Sequence, residues 1–295
     1  MDESEFPFPH IEDPDIFRET LSFAESATGF TASLIEKDYY CSQTLNNFFE
    51  RESKLVFKGG TCISKVYTQF YRLSEGLDFV IPFVTDSSRK ERRAGIEPIK
   101  RLFKNLPYAV PGMAIAEPLS GHNESRQYIG YVEYSSSVIE KKETIKIEVS
   151  LREPLFTPDE SKPARTIATN PFNNRSILPP FSVRAMSVKE AYAEKFRAAL
   201  SRREPAIRDF FDLFYAVHEL ELDFQDPEFV NLVKSKLSIP GSSPINVSAD
   251  RKIELQQQTI GQLKPVLRPK DFSKFDLDET FELACAMAEA VSVEQ

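Results

Sequence analysis

The pattern of apolar and polar positions divides the chain into a helical start, a strand-rich middle and a helical end. Residues 1–15 mix prolines with acidic residues and predict an extended arm. Ile16, Leu21, Phe23 and Ala24 predict a first helix from Pro14, closed by Gly29, a residue suited to the left-handed turn of a helix end. A second helix opens at Thr31, with Leu34, Tyr39 or Asp38, Cys41 and Leu45 recurring at about helical spacing. Lys54–Lys58 reads as a short strand. It runs into a Gly59-Gly60-Thr61 turn, a short helical stretch, an acidic loop, and a second apolar run around Asp78. The next helix is capped by Ser87 or Ser88, buries Ile96, Ile99, Leu102 and Phe103, and keeps its basic residues outside.

From Met113 to Leu151 the period changes to two. QYIGYVEYSSS alternates, and TIKIEVSLRE places Ile145, Ile147 and Val149 on one face with Lys146, Glu148 and Ser150 on the other. Pro154 to Pro180 is a Pro-, Asn- and Thr-rich connection, which sets the expected domains at 1–155 and 156–295. Ser187 and Glu190 predict a capping box, hydroxyl to the third amide and carboxylate back to the cap. A further helix over IRDFFDLFYAVHEL has Ile207, Phe211, Phe214 and Val217 as its stripe. Arg251–Leu263 and Asp278–Val293 are the last two helices, the latter with an alanine-rich packing face.

Composition narrows the class. Hydrophobic residues make up 41% and charged residues 28% of 295, the proportions of a globular protein. No apolar run approaches the roughly 20 residues that cross a membrane, and the acidic N-terminus lacks signal-peptide order, so the expected location is cytoplasmic. Cys41, Cys62 and Cys285 are too scattered for a disulfide framework or a zinc site and are expected to pack as small apolar groups. His10, His122 and His218 have no ligand spacing and read as bystanders. The net charge is −8, yet Arg89, Lys90, Arg92, Arg93, Lys100, Arg101 and Lys104 form one basic stretch and Arg197, Arg202, Arg203 and Arg208 another. Each is either a solvated helix face or a contact for nucleic acid.

The glycine turn is where candidate chemistry begins. Glycines let a backbone approach an anion, and a carboxylate on the strand edge opposite suits a metal bound to phosphates. The ordered set Phe57-Lys58-Gly59-Gly60-Thr61, Arg72, Ser74-Glu75, Leu77-Asp78-Phe79 and Ile147-Glu148-Val149 resembles the nucleotidyltransferase superfamily. With Glu36-Lys37-Asp38-Tyr39-Tyr40 before it and Glu194-Lys195 and Arg208-Asp209-Phe210-Phe211-Asp212 after it, the chain is similar to the AbiEii/AbiGii toxins of abortive-infection toxin–antitoxin systems.

That resemblance implies an α/β (α+β) fold, a nucleotidyltransferase-type mixed sheet core with a helical C-terminal domain closing one side of a cleft. It implies Mg2+-dependent transfer of a nucleotide from an NTP, with the tRNA 3′ end as acceptor, arrested translation as outcome and a cognate antitoxin as partner. Carried over residue by residue, Asp78, Glu148, Lys195 and Asp209 are the catalytic candidates, with Asp78 and Glu148 as metal ligands. Lys58, Gly59, Gly60, Thr61, Ser74 and Arg208 are the candidates for holding the nucleotide. Lys195 suits a triphosphate, and Arg203 or Arg208 are further candidates for that contact.

Gly76 departs from the pattern, because it stands where the family has its first metal-binding aspartate. An introduced change that silences a toxic enzyme, an inactive natural relative, and rescue by Glu75 or Glu148 are all open. Two other functions stay beside the first: a catalytically inactive nucleotide- or RNA-binding regulatory relative, and a nucleotidyltransferase acting on a small molecule such as an antibiotic. Locally, Glu36-Lys37-Asp38 reads as an exposed helix face, from which Lys37 and Tyr39 would serve a substrate surface. Arg208 and Asp212, at i and i+4, read equally as a structural ion pair.

Overall fold

Strand alternation in the middle of the chain becomes a seven-stranded mixed sheet. The computed structural model describes residues 8–292 other than 53, 75, 84–86, 221 and 240. These residues form two compact units, one of residues 1–155 with 159–186, the other of 156–158 with 187–295.

The first unit carries the sheet. Its strands are β1 (Val56–Lys58), β2 (Gly76–Val80), β3 (Met113–His122), β4 (Gln127–Ser135), β5 (Lys142–Ser150), β6 (Glu160–Ala164) and β7 (Phe181–Ala185). They lie in the order β3-β4-β5-β2-β1-β7-β6. The β2–β5 and β1–β7 pairings are parallel and the others antiparallel. The helices of this unit are α1 (Pro9–Glu12), α2 (Pro14–Thr28), α3 (Ala32–Arg51), α4 (Gly59–Cys62) and α5 (Arg89–Ala109). Residues 159–186, beyond the boundary expected at 155, group here because β6 and β7 extend the sheet past β1.

The core forms against one sheet face. Phe17 and Leu21 of α2, Ile35, Tyr39 and Phe48 of α3, and Ile96, Ile99 and Phe103 of α5 cluster with Leu77, Phe79, Ile145, Ile147 and Val149. Burying such side chains contributes roughly 1.5–3 kcal/mol each, which orders the sheet whatever its other face carries. Strand alternation then leaves Lys58, Gly76, Asp78, Lys146 and Glu148 on the opposite face.

Helix α3 differs from its expected role. Glu36, Lys37 and Asp38 are all buried. Asp38 pairs with Lys65 at 2.5 Å and accepts from the Thr166 hydroxyl at 2.8 Å and the Ile167 amide at 3.0 Å. Glu36 accepts from the amide and hydroxyl of Ser137 and from the hydroxyl of Ser136. The run is therefore an internal clamp on two distant loops, and neither a solvated face nor a substrate surface. Tyr39 is buried as well, and His10, read as a bystander, meets its hydroxyl at 2.7 Å and the Pro111 carbonyl at 2.7 Å.

In α5, Ser88 and Glu91 form the reciprocal capping box, but Arg92 turns inward to the carbonyls of Ser87 and Glu124 while its basic neighbours stay outside. The arm over residues 1–15 falls partly on residues 1–7, outside the described residues; residues 9–12 and 14–28 are helical.

The second unit is helical: α6 (Val188–Ser201), α7 (Ile207–Glu219), α8 (Pro227–Leu237), α9 (Ala249–Gln258), α10 (Pro269–Phe272) and α11 (Leu277–Ser292). Ser187 caps α6 by accepting from the Glu190 amide at 3.2 Å. The carboxylate of Glu190 does not return to the cap. It accepts from the amides of Phe156 and Thr157 and pairs with the fully buried Lys236 at 2.7 Å, because an uncompensated buried ammonium costs more than a cap bond. Helix α7 buries Ile207 and Phe211 of its expected stripe, but Asp209, Phe210, Asp212 and Leu213 are buried as well and Val217 is exposed.

Candidate active site

Register sets the arrangement of the sheet-borne candidate residues. Lys58 on β1 lies opposite Asp78 on β2, and Asp78 lies opposite Glu148 on β5. Gly76 is likewise opposite Lys146. One face of three adjacent strands thus carries two carboxylates side by side, Lys58 across from Asp78, Lys146 two residues along from Glu148, and a position with no side chain.

The glycine turn is shaped around this face. Gly59 has φ +75°, and a Cβ there would lie 2.5 Å from Asp78 Oδ2. A Cβ on Gly60 would lie 2.0 Å from the guanidinium of the buried Arg72. The Thr61 hydroxyl donates to the Gly76 carbonyl at 2.5 Å, tying the turn to β2. Helix α4 is one turn long and passes into a π turn over Ile63–Tyr67. Gly59 therefore makes room for a carboxylate and Gly60 for an arginine. Ser74 is half-buried in the loop before Gly76, and Glu75 lies outside the described residues.

Lys58 is buried and pairs with Glu153 at 3.1 Å. Glu148 is held on both oxygens: Lys146 reaches Oε2 at 2.6 Å and the Gln127 amide donates to Oε1. Burial pushes the Glu148 carboxyl upward, but the hydrogen bond and charge of Lys146, with Gln127 and Lys58, outweigh it and keep the group below its ordinary range. Burial likewise works against the Lys146 ammonium, and the hydrogen bond and charge of Glu148, together with Asp78, hold it above the ordinary lysine value. Period two had placed Lys146 on this face without assigning it a part in the site. Gln127 gave no signal, since only the β4–β5 register brings its neighbour Ile129 opposite Glu148.

The second unit brings together Lys195 and Asp209. The Lys195 ammonium lies 2.8 Å from Asp209 Oδ1 and 2.7 Å from Asp212 Oδ2, and Arg202 lies 3.0 Å from Asp209 Oδ2. Burial raises the Asp209 carboxyl, yet Lys195 and Arg202 together hold it below the ordinary aspartate range against the neighbouring Asp212. Asp212 meets Lys195, because α6 faces this side of α7. Arg208 is half-buried in the first turn of α7.

The family described as nucleotidyl transferase AbiEii toxin, type IV TA system, matches residues 44–285. The chain belongs to the AbiEii family. Its members are nucleotidyl transferase toxins of type IV toxin–antitoxin systems, in which an antitoxin is the partner. JHP933 from Helicobacter pylori shares the fold, with 17% identity over 89% of this chain and 93% of that one and a TM-score of 0.51. A second H. pylori protein, described as a candidate nucleotidyltransferase, matches at 17% identity over 88% and 94% with a TM-score of 0.50. At this identity the likeness is one of fold. No curated protein matches the chain.

Nucleotidyl transferases of the AbiEii kind generally use a nucleoside triphosphate and a divalent metal. Among the described residues, no three His, Cys, Asp or Glu side chains converge to hold a metal ion. Asp78 and Glu148 remain, and Glu148 already accepts from Lys146 and Gln127. With glycine at 76, this set does not fit a three-carboxylate metal clamp. Among the described residues, no helix is long and apolar enough to cross a membrane.

Proposed function

We propose that this AbiEii protein is built to transfer a nucleotide from an NTP to RNA, with the tRNA 3′ end as acceptor, and that Gly76 weakens the reaction. The observation that carries this reading is the register of Lys58, Asp78 and Glu148 behind the Gly59 turn, in a chain of this family. In the reaction the acceptor hydroxyl oxygen bonds to the α-phosphorus, the bond to the pyrophosphate oxygen breaks, and the hydroxyl proton leaves. Asp78, whose Oδ2 occupies the space left by Gly59, takes that proton, and Glu148 and Gln127 hold the acceptor side. Within the helical unit, Lys195 is held by Asp209 and Asp212, and the family resemblance makes it the candidate for a triphosphate contact, with Asp209 as the residue that positions it. The toxic consequence would be blocked aminoacylation and arrested growth in the cytoplasm, relieved by the antitoxin.

An inactive nucleotide- or RNA-binding relative is the second reading, and Gly76 is the feature that favours it. The two separate on labelled NTPs, Mg2+ and total tRNA incubated with the natural chain and with Gly76→Asp. Position 76 admits the change: its φ is not left-handed, and a Cβ would sit 3.1 Å from the Lys146 carbonyl, a contact relieved by a few tenths of an ångström. Labelling by Gly76→Asp above the natural chain supports the transferase. Labelling by neither overturns it.

A further inference from the structure

Strands β2 and β5 run parallel and in register from Gly76 opposite Lys146 to Val80 opposite Ser150. Two side-by-side carboxylates, Asp78 and Glu148, therefore sit two residues along from a side-by-side glycine and lysine. A Cβ on Gly76 would lie 3.5 Å from the Lys146 Cβ, so any side chain at 76 would stand directly against the lysine. With glycine there, Lys146 lies along its own strand and sets its ammonium 2.6 Å from Glu148 Oε2. Its side chain keeps 41% of its surface exposed, so the charge faces both the Glu148 carboxylate and solvent.

Adjacent carboxylates repel, and a cation between them removes the cost. An ammonium offers three donors. One reaches Glu148 here, and the tether keeps the charge on the face at any solution composition. The second oxygen of Glu148 is engaged by Gln127 of β4, so the carboxylate a metal would need is held by protein donors on both sides.

We propose that Lys146 is a resident cation of the Asp78–Glu148 face, beside the buried Lys58 of β1, occupying the place a divalent ion would take and holding a phosphate group of the nucleotide directly. The phosphate clause rests on the nucleotidyl-transfer reading; the cation clause does not. On this view Gly76 is more than a missing ligand. It is the half of a Gly76–Lys146 pair that lets the lysine lie down onto the carboxylates.

The test uses the full chain with two separate readouts. Mn2+ binding is followed by electron paramagnetic resonance, and ATP binding is followed in EDTA by calorimetry. The forms compared are the natural chain, Lys146→Arg and Lys146→Met. Removing the tethered charge is expected to tighten Mn2+ binding at least tenfold in Lys146→Met and to weaken ATP binding in EDTA at least tenfold. Lys146→Arg, which keeps the charge, is expected to match the natural chain in both. Mn2+ binding equally tight in all three forms would overturn the cation assignment. Unchanged ATP binding by Lys146→Met in EDTA would overturn the phosphate contact. ATP binding by none of the forms, with or without Mn2+, would overturn the nucleotide reading itself, while the Mn2+ series still decides the cation.

Discussion

Lys146 and Glu148, two residues apart on β5, meet at 2.6 Å on the sheet face that also carries Asp78. The pair ties a strand-borne acid to a strand-borne base without help from any loop. Replacing Glu148 by glutamine keeps the shape and removes the charge. Nucleotide transfer, measured as end-labelling of tRNA in the Gly76→Asp background, is expected to fall by about 10²-fold, the usual scale for losing one charge-stabilising group. Labelling within twofold of the parent would remove Glu148 from the site.

Gly59 is the glycine whose substitution should be felt most directly. Its φ of +75° is costly for other residues, by roughly 1–2 kcal/mol, and a Cβ would press on Asp78 Oδ2. Urea denaturation of Gly59→Ala should therefore show a loss of at least about 1–2 kcal/mol. Equal stability would mean that the turn relaxes into another conformation.

The buried Asp38–Lys65 pair predicts a larger effect. Removing one partner strands a buried charge together with its hydrogen-bond partners, so Lys65→Met should cost about 3–5 kcal/mol. The exposed Arg18–Asp15 pair is the internal comparison, and Asp15→Ala should change stability by less than about 0.5 kcal/mol. Similar losses from both would contradict the clamp described for α3.

Asp209 makes stability depend on acid. Its folded carboxyl lies below the ordinary value of 3.8, so the unfolded chain binds its proton first as pH falls. The stability it contributes is fully present above that ordinary value and is lost as pH drops toward the lowered folded value. Denaturation midpoints followed from pH 6 downward should decline less steeply for Asp209→Asn than for the natural chain. Lys195, Arg202 and Asp212 all face this carboxyl, and their charges set the size of the difference. Parallel curves would show that Asp209 titrates alike in both states.

The exposed basic residues of α5, namely Arg89, Lys90, Arg93, Arg101 and Lys104, are expected to contact RNA phosphates. Binding to tRNA should weaken with salt, and each neutralised contact should reduce the slope of log K against log salt by about 1. Fluorescence anisotropy of Arg89→Gln/Arg93→Gln/Arg101→Gln would then show a slope smaller by roughly 2–3. An unchanged slope would leave these residues as a solvated helix face.

Much of the sheet was legible from period alone, because strands that bury one face must alternate. QYIGYVEYSSS and TIKIEVSLRE became β4 and β5, and the same alternation put Lys146 and Glu148 on one side. The motif order from Phe57 to Asp212 was enough to indicate the family, and the family match agrees. Strand β6 was not legible: Glu160–Ala164 sits in a proline-rich stretch and pairs at the sheet edge, where a ladder tolerates proline.

The sequence by itself determined which side chains share a strand face and where the glycines stand, since both follow from chain connectivity and local sterics. What only the tertiary structure decided is who meets whom across the chain. Glu36, Lys37 and Asp38 look solvated by composition, yet they are buried, because Lys65, Thr166 and Ser136, distant in sequence, supply the partners that make burying charge affordable. Glu190 left its predicted cap for Lys236 for the same reason. Gly76 and Lys146 are 70 positions apart, and no local pattern couples them. The parallel register of β2 and β5 does, by setting a missing side chain beside a lysine that lies down in its absence.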